Sequence, residues 1–65
     1  MNRDTAIFFL NKFVRIERKI SDKSEFSKGL VVDVTDSDLV LKFNTMIQAY
    51  SLESILSIRE INEER

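Results

Sequence analysis

The hydrophobic pattern changes period along the chain, and each change marks an element. Near the start, Ala6, Phe9, Leu10 and Phe13 fall at i, i+3, i+4 and i+7, a helical stripe that Ile7 and Phe8 widen. Asn2, Asp4 and Thr5 are good helix N-caps, and Asp4 and Lys12 suit the two ends of the helix dipole. The spacing predicts a helix over residues 4–12, too short to be stable alone in water, so it must dock on something. From Phe13 the period drops to two. Val14, Ile16, Arg18 and Ile20 alternate with Arg15, Glu17 and Lys19, a strand with one apolar and one charged face. Residues 22–28, DKSEFSK, are polar apart from Phe26 and predict a long hairpin loop or ragged strand ends.

The clearest pattern lies between Lys28 and Asn44. Leu30, Val32 and Val34 alternate with Val31, Asp33 and Thr35; then Leu39, Leu41 and Phe43 alternate with Val40 and Lys42. Two strands follow, joined by Thr35-Asp36-Ser37-Asp38, whose side chains hydrogen-bond their own backbone in turns. Gly29, the single glycine, opens the first of them, where a lone glycine marks a bend, a bulge or a close backbone approach. Asn44-Thr45 suits a tight turn, because asparagine tolerates left-handed backbone angles. Met46, Gln48 and Tyr50 alternate with Ile47 and Ala49 in a fourth strand, and Ser51–Ser54 breaks the alternation as one helical or 3₁₀ turn. Ile55–Ile61 forms a fifth strand, with Leu56 and Ile58 on one face and Ile55 and Ile61 on the other. Residues 62–65 read as a charged, frayed tail.

The expected fold is therefore mainly β: an N-terminal α-helix and five short antiparallel strands bent into a barrel over residues 13–61. At 65 residues this is one domain with a marginal core. With no cysteine and no histidine, disulfides and ordinary zinc sites are excluded as staples. Oligomerisation remains, and an apolar content of 43% is generous for so small a monomer. Met46, Ile47, Tyr50, Ile55, Leu56 and Ile58, on strands apolar on both faces, are the expected subunit contact. The run Ala6–Leu10 is too short for a membrane span and lacks a signal-peptide cleavage site, so a cytoplasmic protein is expected.

Net charge is −1, which argues against broad electrostatic binding to nucleic acid, but the charge is unevenly spread. Residues 1–32 carry seven basic and four acidic side chains; residues 33–65 carry three and seven. One basic and one acidic face, or ordinary solvated surface, both fit this split.

In element order the chain resembles the Sm-like family, which includes bacterial Hfq and the archaeal and eukaryotic Lsm proteins. Gly29 matches the glycine in the second strand of the first Sm motif, with Val31 and Val34 at the family's following apolar positions. Leu41-Lys42 and Asn44-Thr45 are similar to the end of the third strand and its turn in Hfq, with Gln48 and Tyr50 in the fourth. The resemblance implies a small SH3-like barrel in a homo-oligomeric ring of six or seven, each fourth strand pairing with the next subunit's fifth. It also implies binding of single-stranded, often uridine-rich, RNA at the pore or on a face. Several family residues are replaced. The Lsm Asp-x-x-x-Asn signature gives way to Thr35-Asp36-Ser37-Asp38, the following Arg-Gly is missing, and Ser51-Leu52 stands where Hfq has Lys-His. The basic loop at Lys23–Lys28 has no close counterpart.

Catalysis is not expected, since no serine or threonine stands at a spacing that would activate it. Asp33, Asp36 and Asp38 offer oxygen ligands for a hard cation, but aspartates in a tight turn are more often turn formers, and no metal or cofactor is expected. The candidate RNA contacts are Arg15, Arg18, Lys19, Lys23 and Lys28 for phosphate, with Phe26 and Tyr50 for stacking. Against each stands a plainer role: Tyr50 and Phe43 as barrel or interface filling, Phe26 folded over the barrel end, and the cations as a solvated strand face. Two functions are open, RNA binding of the Sm type and a protein-interaction or scaffolding barrel without nucleic-acid binding.

Overall fold

A computed structural model describes residues 1–62. The tail expected over 62–65 lies, apart from Asn62, outside the described residues. One helix, α1 (Arg3–Phe8), precedes strands β1 (Phe13–Ile20), β2 (Lys23–Val34), β3 (Asp38–Phe43) and β4 (Met46–Ser51). A 3₁₀ turn at Leu52–Ser54 leads into β5 (Ile55–Glu60). All pairings are antiparallel in a single sheet of order β4-β3-β2-β1-β5, the bent, barrel-like arrangement expected from the strand pattern.

The helix is shorter than its stripe predicts. Asn2 is the cap that operates, its side-chain oxygen accepting from the Thr5 N–H at 2.8 Å. Tight i→i+3 bonds from Phe9 and Leu10 to Ala6 and Ile7 end the helix, and Asn11 turns the chain with φ 67°. Lys12 thus lies beyond the helix and cannot serve its dipole; it meets Glu60 at 3.8 Å instead. Ala6 is fully buried with Phe9 packed beside it, while Leu10, placed on the same stripe, stays exposed.

Of residues 22–28, expected as a long hairpin loop or ragged strand ends, 23–28 are strand. Ser21, at φ 54°, and Asp22 make a two-residue turn, and β2 runs back from Lys23 in unbroken register with β1. Backbone pairing, not side-chain patterning, carries the ladder through these polar residues.

Strict alternation fails at two places, for one reason. Val31 pairs with Leu41 and Asp33 with Val40, so Val32 is an extra residue, a β-bulge. Val31 and Val34 therefore both point inward, where alternation put them on opposite faces. On β5, Ser57 pairs with Glu17 and Ile55 with Arg18, so Leu56 bulges outward. Ile55 and Ile58 consequently share the inner face instead of lying on opposite ones, and Ile55 is core. A bulge bends its strand and increases the local twist, which is what closing a small sheet requires.

The core consists of Ala6, Val14, Ile16, Val31, Val34, Leu39, Leu41, Leu52 and Ile55, with Met1, Phe9, Tyr50 and Ile58 partly buried against it. Each full burial of a valine, leucine or isoleucine among them is worth about 1.5–3 kcal/mol. Gly29 lies in the crowded middle. A Cβ there would stand 2.8 Å from the Lys42 carbonyl oxygen of β3. Its φ is not positive, so the close approach of two backbones, and not an unusual torsion, is what demands glycine.

Candidate nucleic-acid interface

On β1, Val14 and Ile16 point inward, so Arg15, Glu17 and Lys19 share the outer face. The register sets Arg15 directly opposite Lys28 of β2 on one side and Arg59 of β5 on the other. Three cations thus form one row across β5–β1–β2. Like charges placed opposite each other destabilise a sheet, so this row is an electrostatic cost to the fold. Among the described residues no ion pair is made by Arg15 or Arg59.

Aromatic rings flank the row. Phe26, opposite Glu17, lies one pleat along on the same face and is 59% exposed. The Arg15 guanidinium sits 4.9 Å from its ring centroid, and the Lys28 ammonium lies 5.4 Å from that of Phe43. Phe43 packs obliquely on Phe13, their centroids 6.4 Å apart. Arg15, Phe26, Ser27 and Lys28 line a shallow depression of about 180 Å³. In the same neighbouring row as Phe26, the Ser57 hydroxyl donates to the Glu17 carboxylate at 3.3 Å.

The other expected contacts are not gathered here. Arg18 has the inward parity of Ile16 and is tucked under the barrel end, its guanidinium 4.4 Å from the Tyr50 ring centroid and 3.7 Å from a Glu25 oxygen. Its Nε is buried with no hydrogen-bond partner. Tyr50 lies half-buried against the core, its hydroxyl donating to Gln48 at 2.7 Å. Lys19 shares the outer face but stands opposite Ser24, toward the hairpin tip, while Lys23, opposite Ile20, has the other parity. Arg59 was not a sequence candidate. It comes from the acidic half of the chain, and the β1–β5 register alone brings it beside Arg15.

The loops that stand where the family resemblance would seat RNA meet at one end of the molecule. The Leu52 N–H donates to the Ser37 carbonyl at 2.9 Å, and a depression there is lined by Asp36, Asp38 and Glu53 with Arg3. Arg3 pairs with Asp36 at 3.5 Å. The turn itself is held by Thr35, whose Oγ accepts from the Asp38 N–H at 2.9 Å, while Asp33 accepts from the Val34 N–H at 2.8 Å. Among the described residues no group of three acidic side chains is arranged to hold a metal.

Comparison with protein-family models, curated proteins and solved structures returned no match. What the molecule can bind is therefore set by its surfaces. Two of them stand out, the cationic row and the strand edges. β4 and β5 are the outer strands of the sheet and do not pair with each other. Met46 and Ile47 on β4 are 61% and 62% exposed, and Leu56 on β5 is 56% exposed. Of the other expected contact residues, Ile55 is consumed by the core, and Tyr50 and Ile58 are partly so. No helix among the described residues is long and apolar enough to cross a membrane.

Proposed function

We propose that this chain is a cytoplasmic, non-enzymatic Sm-like barrel that self-assembles and binds single-stranded RNA. The observation that carries the reading is the pair of open edges, β4 and β5, with apolar Met46, Ile47 and Leu56 exposed along them. Edge strands with unpaired backbone groups and apolar side chains pair with other chains unless something blunts them. A β4 edge in one subunit and a β5 edge in the next form a head-to-tail contact, and such contacts close into rings of six or seven when the rotation permits. Each subunit then repeats its basic sheet face, so a modest local charge is multiplied around the ring.

The test is light scattering at micromolar concentration, together with anisotropy titration of short U-rich and A-rich RNAs at two salt concentrations. The reading expects an oligomer, and an affinity that falls as salt rises. A monomer without RNA affinity would sink it. A protein-interaction barrel without nucleic-acid binding is the second reading, favoured by the acidic end formed by Asp36, Asp38 and Glu53. It expects the same oligomer with no RNA affinity even at low salt.

A further inference from the structure

The geometry points to a specific RNA surface: the outer sheet face centred on Arg15, with phosphates along Arg59, Arg15 and Lys28 and a base stacked on Phe26. This rests on the RNA-binding reading above and places it away from the loop end. Electrostatics decide between the two surfaces. The loop end sets Asp36, Asp38 and Glu53 against two cations, Arg3, itself paired with Asp36, and the Met1 ammonium, which donates to the Leu52 carbonyl at 3.0 Å, so negative charge still predominates. A polyanion is repelled there. The sheet face carries its cations in one row, with Glu17 one pleat away and already bonded to Ser57.

The spacing of the row follows from the sheet. Adjacent strands lie about 4.8 Å apart, so Arg59 and Lys28 flank Arg15 at a backbone span of about 10 Å. Three long cationic side chains over that span present a continuous strip to a flexible phosphodiester chain. A duplex is too stiff and broad to follow so short a strip beside a protruding ring, whereas a single strand can lay down its backbone and turn a base out. Phe26 is the platform for that base. Arg15 covers one side of the ring, and more than half of the residue remains open to solvent. A base on the open side completes a stack of cation, ring and base, the mode that sequence-tolerant single-strand binders use. The ring has no donor or acceptor, so it cannot read base edges, and little preference between U-rich and A-rich strands follows.

The row also has a signature that a purely structural role lacks. Because directly opposed like charges destabilise the sheet, removing them should leave the melting temperature unchanged or raise it while binding is lost. Anisotropy titrations of a single-stranded RNA should therefore compare the full chain with Arg15→Gln/Arg59→Gln and with Phe26→Ala. Arg3→Gln/Lys12→Gln, equal in charge change but off the row, is the control. The double row variant should lose at least tenfold in affinity at low salt. Its log–log salt slope should be shallower by about 1.4, since each single-strand phosphate contact contributes about 0.7. Phe26→Ala should lose about tenfold with the slope unchanged, and the control should bind within a few-fold of the unmodified protein. Unmodified protein that binds tightly, with the row variant binding equally well and the control losing affinity, would overturn the placement while leaving RNA binding intact. Absence of binding by the unmodified protein at low salt overturns both. Competition by an equal length of duplex as effective as the single strand would overturn the stacking mode.

Discussion

Gly29 and Arg18 show how single residues set the interior. At Gly29 any Cβ lands 2.8 Å from a backbone oxygen and 3.3 Å from the Leu41 Cβ, and neither neighbour can swing aside as a flexible side chain would. Gly29→Val should cost roughly 2–4 kcal/mol, a loss on the order of 10 °C or more in melting temperature for a domain of this size. An unchanged thermal melt would show that β2 and β3 can part there without penalty. Arg18 poses the opposite question. It stacks on Tyr50 and meets Glu25, yet its Nε is buried without a partner. An unsatisfied buried donor costs about 1–3 kcal/mol, comparable to what a cation–π contact and a loose ion pair return. Glu25 is well exposed, so removing its partner strands no buried charge. Arg18→Met should therefore change stability by less than about 1 kcal/mol. A melt lowered by 10 °C would instead make Arg18 the strut that holds β4 against β1.

Among the elements, what was legible in the sequence depended on whether side chains or backbone carried the structure. β1 and β3 were readable because buried and exposed side chains alternate along them, as with Val14 and Ile16 against Arg15, whereas β4 was readable from its sequence between two turns although almost all of it is exposed. Asn44 announced its turn and adopts the left-handed angle, φ 57°. The first half of β2 was not readable, since Lys23–Lys28 is held by pairing to β1, which leaves no mark on polar residues. Neither bulge was readable, because Val32 and Leu56 look like ordinary members of an alternating strand. The candidate site was half legible for a related reason. Arg15, Lys28 and Phe26 are neighbours across one hairpin, but Arg59 joins them through a long-range register, and Arg18 leaves them by parity alone. The edge strands carry their own expectation. Ile47→Glu puts a charge near the start of exposed β4, opposite Lys42 and so without a like-charge pair in its own sheet or any contact with the core. It should convert an oligomer to monomer in light scattering with the circular dichroism spectrum retained. An unchanged particle mass would move the subunit contact off β4.

At the scale of the whole molecule, four strands follow one another as hairpins, and only β5 must return across the molecule to find β1. Glu17 and Ser57, which meet there, are 40 residues apart. Pairings of such separation carry the largest loop-closure entropy, so β5 is the last strand expected to dock and the easiest to release. Arg59 travels with it. The cationic row therefore exists only while β5 is docked on β1, and a strand of nucleic acid lying across Arg59 and Arg15 would act as a clasp on that docking. Ligand and local unfolding are then linked quantities: whatever binds the closed form alone suppresses its opening. Amide hydrogens of Ile55–Glu60 should exchange more slowly in the presence of saturating single-stranded RNA, while those of the β2–β3 hairpin change little. Equal protection of both regions would mean that the ligand holds the molecule as a whole and not its closing strand.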